Sequence, residues 1–141
     1  MLVREIKVLM EVKQDKGYAR LLGYGKADDY NYIAMSYLGR NLDSLLKKCG
    51  GKFSMPTIAN IFEQMLNLLR TLHSKNLIHR DIKPENFVIG YSTYFNIIHI
   101  IDFGLAKYYM DSDGSHIPFY SKKGMIGTAR YASLNAHLGY E

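Results

Sequence analysis

The sequence predicts an α+β fold, a long helix and some shorter ones set against short strands. Near the middle of the chain, residues 56–75 repeat apolar side chains at helical spacing. Elsewhere, short runs rich in Ile, Val, Tyr and Phe are bounded by Gly, Asp and Asn, the pattern of strands and turns. The composition, 48% hydrophobic and 22% charged over 141 residues, belongs to a chain able to bury a core.

In chain order, Leu2, Ile6, Leu9 and Met10 lie on one helical face and predict a helix over residues 2–13, ending near Asp15-Lys16-Gly17. A strand is expected over residues 19–24 and a second over the aromatic run 30–37, paired through a turn at 25–29. Asn41 is placed to cap a helix over residues 42–48, which Gly50-Gly51 stops. Ser54 is a cap for the longest helix, 56–75, whose stripe is Ile58, Ile61, Phe62, Met65, Leu66, Leu69 and Leu72. At 1.5 Å per residue that helix spans roughly 30 Å. Pro84 keeps the following segment out of a helix. Residues 87–89 and 97–101 read as a strand hairpin joined by the polar stretch 90–96, and from Gly104 onward periodicity fades. Residues 105–141 are expected to form a long loop rich in Gly, Ser and Tyr, a length that is uncommon without a function.

The net charge of +5 is scattered, with Lys47-Lys48 and Lys122-Lys123 the adjacent pairs. No basic helix stripe or zinc-finger spacing accompanies it, so nucleic acid is not an expected partner; a nucleic-acid or phospholipid-binding module would rest on charge alone. The single cysteine, Cys49, forbids an intrachain disulfide and suits a reducing compartment. The N-terminal residues mix charge into every turn, unlike a signal peptide, and no apolar run is long enough for a transmembrane segment. Leu2 and the ending Gly139-Tyr140-Glu141 argue against myristoyl and prenyl anchors. The expected location is cytoplasm, nucleus or both.

Chemistry concentrates in two runs, His79-Arg80-Asp81-Ile82-Lys83-Pro84-Glu85-Asn86 and Asp102-Phe103-Gly104. Phosphoryl transfer needs a positioned base, a cation near the transferring group and hard oxygen ligands for Mg²⁺. Asp81 suits the base, Lys83 the cation, and Asn86 and Asp102 the metal ligands. Either run alone is commonplace, a charged surface cluster or a turn after a strand. Together they sit in fixed register, after a long apolar helix and at the end of a strand hairpin, a conjunction that points to phosphoryl transfer.

With these residues in place, the chain resembles a eukaryotic protein kinase, and specifically the casein kinase 1 family. Residues 97–108, from Ile97-Ile98-His99 through Asp102-Phe103-Gly104-Leu105-Ala106-Lys107-Tyr108, resemble that family closely. So do His116-Ile117-Pro118, Gly127-Thr128-Ala129-Arg130-Tyr131-Ala132-Ser133 and Asn135-Ala136-His137-Leu138-Gly139. Where most kinases carry Ala-Pro-Glu, this chain has Ser133-Leu134-Asn135, similar to the family's Ser-Ile-Asn. The resemblance covers almost the whole chain.

It implies a truncated protein-kinase-like fold. Residues 1–37 would be part of the small lobe from its helix C onward, and 38–141 the hinge, catalytic loop and activation segment of the helical large lobe. By match, Glu5 falls at the helix-C Glu that pairs with the ATP-binding Lys, and Met35 resembles the gatekeeper. Ser36 and Leu38 would bond adenine through their backbone, and Ser44 falls where the family often has a ribose-contacting Asp. Thr128 would hydrogen-bond toward Asp81 and Lys83, and Lys83 two residues after Asp81, with Gly127-Thr128, favours a Ser/Thr over a Tyr kinase. Arg130, with Lys122 or Lys123, resembles part of an anion site for acidic or pre-phosphorylated substrates.

The implied activity is transfer of the ATP γ-phosphoryl group to Ser or Thr of acidic or primed proteins, with ATP and Mg²⁺ as cofactors. The 141 residues contain no Gly-rich loop ahead of Glu5 and no third-strand Lys for it to pair with. An alternative is therefore an inactive kinase fragment acting as a binding module. Because the family pattern continues into further helices, the apolar stripe of 58–72 is expected to lack part of its packing and the isolated chain to fold poorly.

Overall fold

The computed structural model describes residues 1–121 and 124–140. Helix α1 (Leu2–Glu11) turns Val8 and Leu9 inward, and stops slightly short of the predicted residue 13. Strands β1 (Leu21–Ala27) and β2 (Tyr30–Met35) pair antiparallel, with Ala27 opposite Tyr30. Their turn is tighter than the expected 25–29: Asp28 takes φ +46°, a left-handed conformation that Asp tolerates. β1 begins later than predicted because Tyr18 is drawn into the core. It bridges Ile100 and its hydroxyl donates to the Leu68 carbonyl at 2.6 Å.

Helix α2 (Leu42–Lys48) has the predicted bounds. Asn41 Oδ1 accepts from the Ser44 N–H at 2.8 Å. At the other end Gly50 and Gly51, both at positive φ, donate to Lys47 and Leu46, a paired glycine stop that satisfies the last carbonyls. Helix α3 (Met55–Ser74) is capped by Ser54, as expected. Its predicted stripe separates into two faces. Leu72 is buried and Ile61, Met65 and Leu69 pack against the core, together with Leu68 from outside the stripe, whereas Ile58, Phe62 and Leu66 are exposed.

Strands β4 (Phe87–Ile89) and β5 (Ile98–Ile100) form the predicted hairpin, with Phe87 opposite Ile100. The segment 105–141 is not all loop. Lys107–Tyr108 is a short strand, numbered β6 here, that pairs with β3 (Leu77–Ile78), and α4 (Leu134–His137) is capped by Ser133. Such short, non-local pairings leave no periodicity to read. The core joins α1, α3 and the β4–β5 hairpin through Leu9, Val12, Leu72, Phe87, Ile100 and Phe103, all fully buried. Each such side chain contributes about 1.5–3 kcal/mol. Among the described residues, no helix is long and apolar enough to cross a membrane.

Candidate functional site

The β4–β5 hairpin brings the two sequence runs together. Pro84 starts a short 3₁₀ turn, Pro84–Asn86, and Lys83 before it is extended, as a residue preceding proline prefers. The turn delivers Asn86 to the start of β4. The Ile101 N–H donates to the Asn86 carbonyl at 3.0 Å, so Asn86 and Asp102 lie at the same end of the hairpin. Asp102 sits at φ +65° and its Oδ1 accepts from the Gly104 N–H at 3.3 Å, a local bond of the kind that lets Asp hold a left-handed backbone.

Asp81 is buried at the centre of the cluster. Its Oδ1 accepts from the Thr128 N–H at 2.9 Å and the Thr128 hydroxyl at 2.7 Å. Its Oδ2 accepts from Lys83 Nζ at 2.7 Å and Asn86 Nδ2 at 3.3 Å. Lys83 Nζ also reaches Thr128 Oγ1 at 2.9 Å, closing a triangle of Asp, Lys and Thr. Burial by itself would raise the Asp81 carboxyl. The hydrogen bonds from Lys83 and Thr128, with the Lys83 charge, outweigh it and hold the group below the ordinary carboxylate range. The bond to Asp81 raises the Lys83 ammonium in turn. Both members stay ionised at neutral pH.

Two neighbours fix the loop. His79 is buried, and burial lowers its pKa and keeps the ring neutral. Its Nδ1 accepts from the Asp81 N–H at 3.3 Å, so the proton must sit on Nε2, which donates to the Ile101 carbonyl at 3.0 Å. Arg80, at φ +69°, donates from Nε to the Leu105 carbonyl at 2.7 Å. The Asp81 loop is thereby tied on both sides of Asp102-Phe103-Gly104. Gly127, at φ +98°, approaches so closely that a Cβ there would lie 2.6 Å from the Arg80 carbonyl oxygen. Only glycine brings Thr128 up to Asp81 without strain.

Among the described residues no group of three or more His, Cys, Asp and Glu gathers as a metal cage. Mg²⁺ does not need one, since it often takes one or two protein oxygens and completes its shell with phosphate and water. The donors here fit that pattern. Asn86 spends its Nδ2 on the Asp81 carbonyl at 2.8 Å and carboxylate at 3.3 Å, leaving the carboxamide oxygen as its ligand atom. The Asp102 side chain is exposed beside it. A buried carboxylate held by a lysine and a threonine, next to hard oxygen donors, suits deprotonating a hydroxyl near a charged, metal-bound group.

The family model for the protein kinase domain matches residues 1–134. The chain belongs to the protein kinase family. The α+β architecture agrees with that membership, and the family acts on protein substrates.

In this kinase domain the other sequence-derived positions are spread differently. The Ser36 N–H donates to the Arg20 carbonyl at 2.9 Å and its Oγ accepts from the Arg20 N–H at 3.0 Å, so Ser36 prolongs the β1–β2 pairing. Met35 is exposed at the end of β2, and Leu38 packs against the core. Ser44 lies in the first turn of α2, its N–H bonded to the cap. Glu5 reaches the Asp102 region from α1. Burial raises its carboxyl, the Asp102 charge adds to that, and a bond with the Phe103 backbone partly offsets both. Arg130 is exposed in the 3₁₀ turn Ala129–Tyr131, its guanidinium 5.6 Å from the Tyr131 ring centre. Lys122 and Lys123 lie outside the described residues. Sequence reading took Gly127 only as part of Gly127-Thr128 and assigned no role to His79. Their signal was adjacency, one just ahead of Arg80-Asp81 and the other just ahead of Thr128.

Proposed function

We propose that this kinase domain is a casein kinase 1-like serine/threonine kinase, transferring the γ-phosphoryl group of ATP to Ser or Thr hydroxyls of acidic or primed proteins. The observation that carries the reading is the triangle of Asp81, Lys83 and Thr128, with each pair in hydrogen-bond contact. Asp81 accepts the substrate hydroxyl proton as that oxygen forms its bond to the γ-phosphorus, and the bond to the bridging oxygen breaks to release ADP. A positioned base of this kind is typically worth about 10²–10⁴-fold in rate. Lys83 offsets charge on the transferring group, and Thr128 keeps Asp81 aimed. Asn86 and Asp102 would hold Mg²⁺, which supplies charge neutralisation at the phosphoryl oxygens when bound. Residues 1–37 then belong to the smaller lobe and 38–141 to hinge, catalytic loop and activation segment. Met35, Ser36 and Leu38 would face adenine and Ser44 the ribose, with Arg130, Lys122 and Lys123 as the anion site. The family resemblance of residues 97–108 and 127–139 supports the subfamily.

The test is transfer of labelled phosphate to a Ser peptide with acidic or phosphorylated residues upstream, against a neutral version, with Asp81→Ala alongside. Transfer favouring the acidic peptide and abolished by Asp81→Ala is expected. Turnover indifferent to that substitution overturns the mechanism. A second reading, a binding module without phosphotransfer, is favoured by the exposed apolar face of α3, where Ile58, Phe62 and Leu66 are open to a partner. Calorimetry separates the two, because clear Mg-ATP affinity argues against the second.

A further inference from the structure

A groove of about 750 Å³ runs between the segment after α1, the β2–α2 connection and the loop joining β4 to β5. Asp81, Lys83, Asn86 and Asp102 do not line it, whereas Ser36 and Leu38 of the β2–α2 connection do. Its walls carry an unusual pairing of charge and aromatic surface. Lys13, Lys16 and Arg20 line it, are exposed, and make no ion pair among the described residues. The acid in the same wall, Asp15, is already held by Lys75 at 3.2 Å. Tyr37, Tyr91 and Tyr94 also line the groove and are 77%, 59% and 63% exposed. Tyr37 and Tyr91 meet edge to face with ring centres 4.9 Å apart, a firm apolar rim.

We propose that this groove docks an acidic segment of a partner protein, one that alternates carboxylates with aromatic or leucine side chains. The cations meet the carboxylates and the tyrosine rim takes the apolar side chains, the division of labour common at polar-rimmed interfaces. A few cations separated along one short segment match scattered carboxylates better than the continuous phosphate charge of a nucleic-acid strand. Docking here needs no phosphoryl transfer, so it goes beyond the proposed activity, although the groove shares Ser36 and Leu38 with the connection placed at adenine in that proposal.

The probes are a fluorescein-labelled peptide alternating Glu with Phe and Leu, its counterpart with Gln for each Glu, its counterpart with Lys for each Glu, and an oligothymidylate strand. Anisotropy should show the full chain binding the Glu peptide, with affinity falling as salt rises, and the Gln peptide at least about tenfold weaker. Lys13→Glu/Lys16→Glu/Arg20→Glu should lose the Glu peptide and gain the Lys peptide, a reversal that an unfolded variant cannot give. Tyr91→Ala/Tyr94→Ala should weaken binding, whereas Asp81→Ala and Arg130→Ala should leave it unchanged. The proposal is overturned if the Glu peptide does not bind or binds the charge-reversed protein equally well. Loss of binding on Arg130→Ala, or tighter binding of oligothymidylate, overturns it too.

Discussion

The loop around Asp81 and the connection from Met35 to Leu38 are built in opposite ways. Around Asp81 the chemistry lies in side chains. A carboxylate, an ammonium, a carboxamide and a hydroxyl bond one another, and a neutral imidazole holds the loop from beneath. At 35–38 the ordering bonds are mostly backbone, as in the Ser36 N–H to Arg20, and the side chains of Met35 and Tyr37 are exposed. A site made of side chains constrains which residues it can use. One made of main-chain groups constrains only the path of the chain.

That contrast can be broken or sharpened by substitution. After loss of Asp81, the largest effect is expected for Asp102→Asn, which removes the charge of the residue proposed to hold Mg²⁺ while keeping its size. Losing several kcal/mol of metal-borne stabilisation corresponds to a rate loss of at least about a hundredfold, and the Mg²⁺ needed for half-maximal transfer should rise in a titration. Next comes Thr128→Ala, which deletes the hydroxyl bond to Asp81 and leaves the backbone N–H. One charge-assisted bond is worth roughly a tenfold fall in kcat. The acid limb of the pH–rate profile should also move up, because Asp81 loses part of what holds its pKa down.

His79 gives a pH effect. Its folded-state pKa is lowered by burial, so below the ordinary value of about 6.5 the unfolded chain binds protons that the folded chain refuses. The contribution is therefore intact above that pH and is lost on acidification, by up to about 1.4 kcal/mol per pH unit. Tm should fall between about pH 7 and pH 5, with a shallower slope for His79→Asn. The smallest effect is expected at Ser36→Ala. It removes only the bond that Oγ accepts from Arg20, about 1 kcal/mol of stability, and leaves the backbone in place. ATP affinity measured by calorimetry should hardly change; a large loss there would mean that the connection, too, depends on side-chain identity.

Legibility in the sequence follows the same division. Asn41 and Ser54 were readable as caps because a capping side chain must be a short hydrogen-bonding one, and Gly50-Gly51 as a stop because the positive φ values there suit glycine. That Asp81, Lys83 and Asn86 gather at the hairpin end that carries Asp102 was readable because the two runs hold them in fixed register. The β3–β6 pairing was not, since each strand is too short to show alternation and its partner is distant in the chain. Nor was the division of α3 into a packed and an exposed face, because Ile58, Phe62 and Leu66 look as apolar in sequence as Ile61 and Met65. Which face is covered is a property of the neighbours.

The left-handed backbone at Asp102 sets a trap for anyone improving this protein by heat selection. An L-residue held at φ +65° carries a conformational cost, which the bond from the Gly104 N–H to Asp102 offsets only in part and which glycine would relieve. Clones surviving on thermal tolerance alone would be drawn toward Gly at 102 and would arrive there without their carboxylate. Asp28, at φ +46° in the β1–β2 turn, offers similar relief far from the Asp81 loop in sequence. A stabilised variant should be sought at position 28, with position 102 barred from the library.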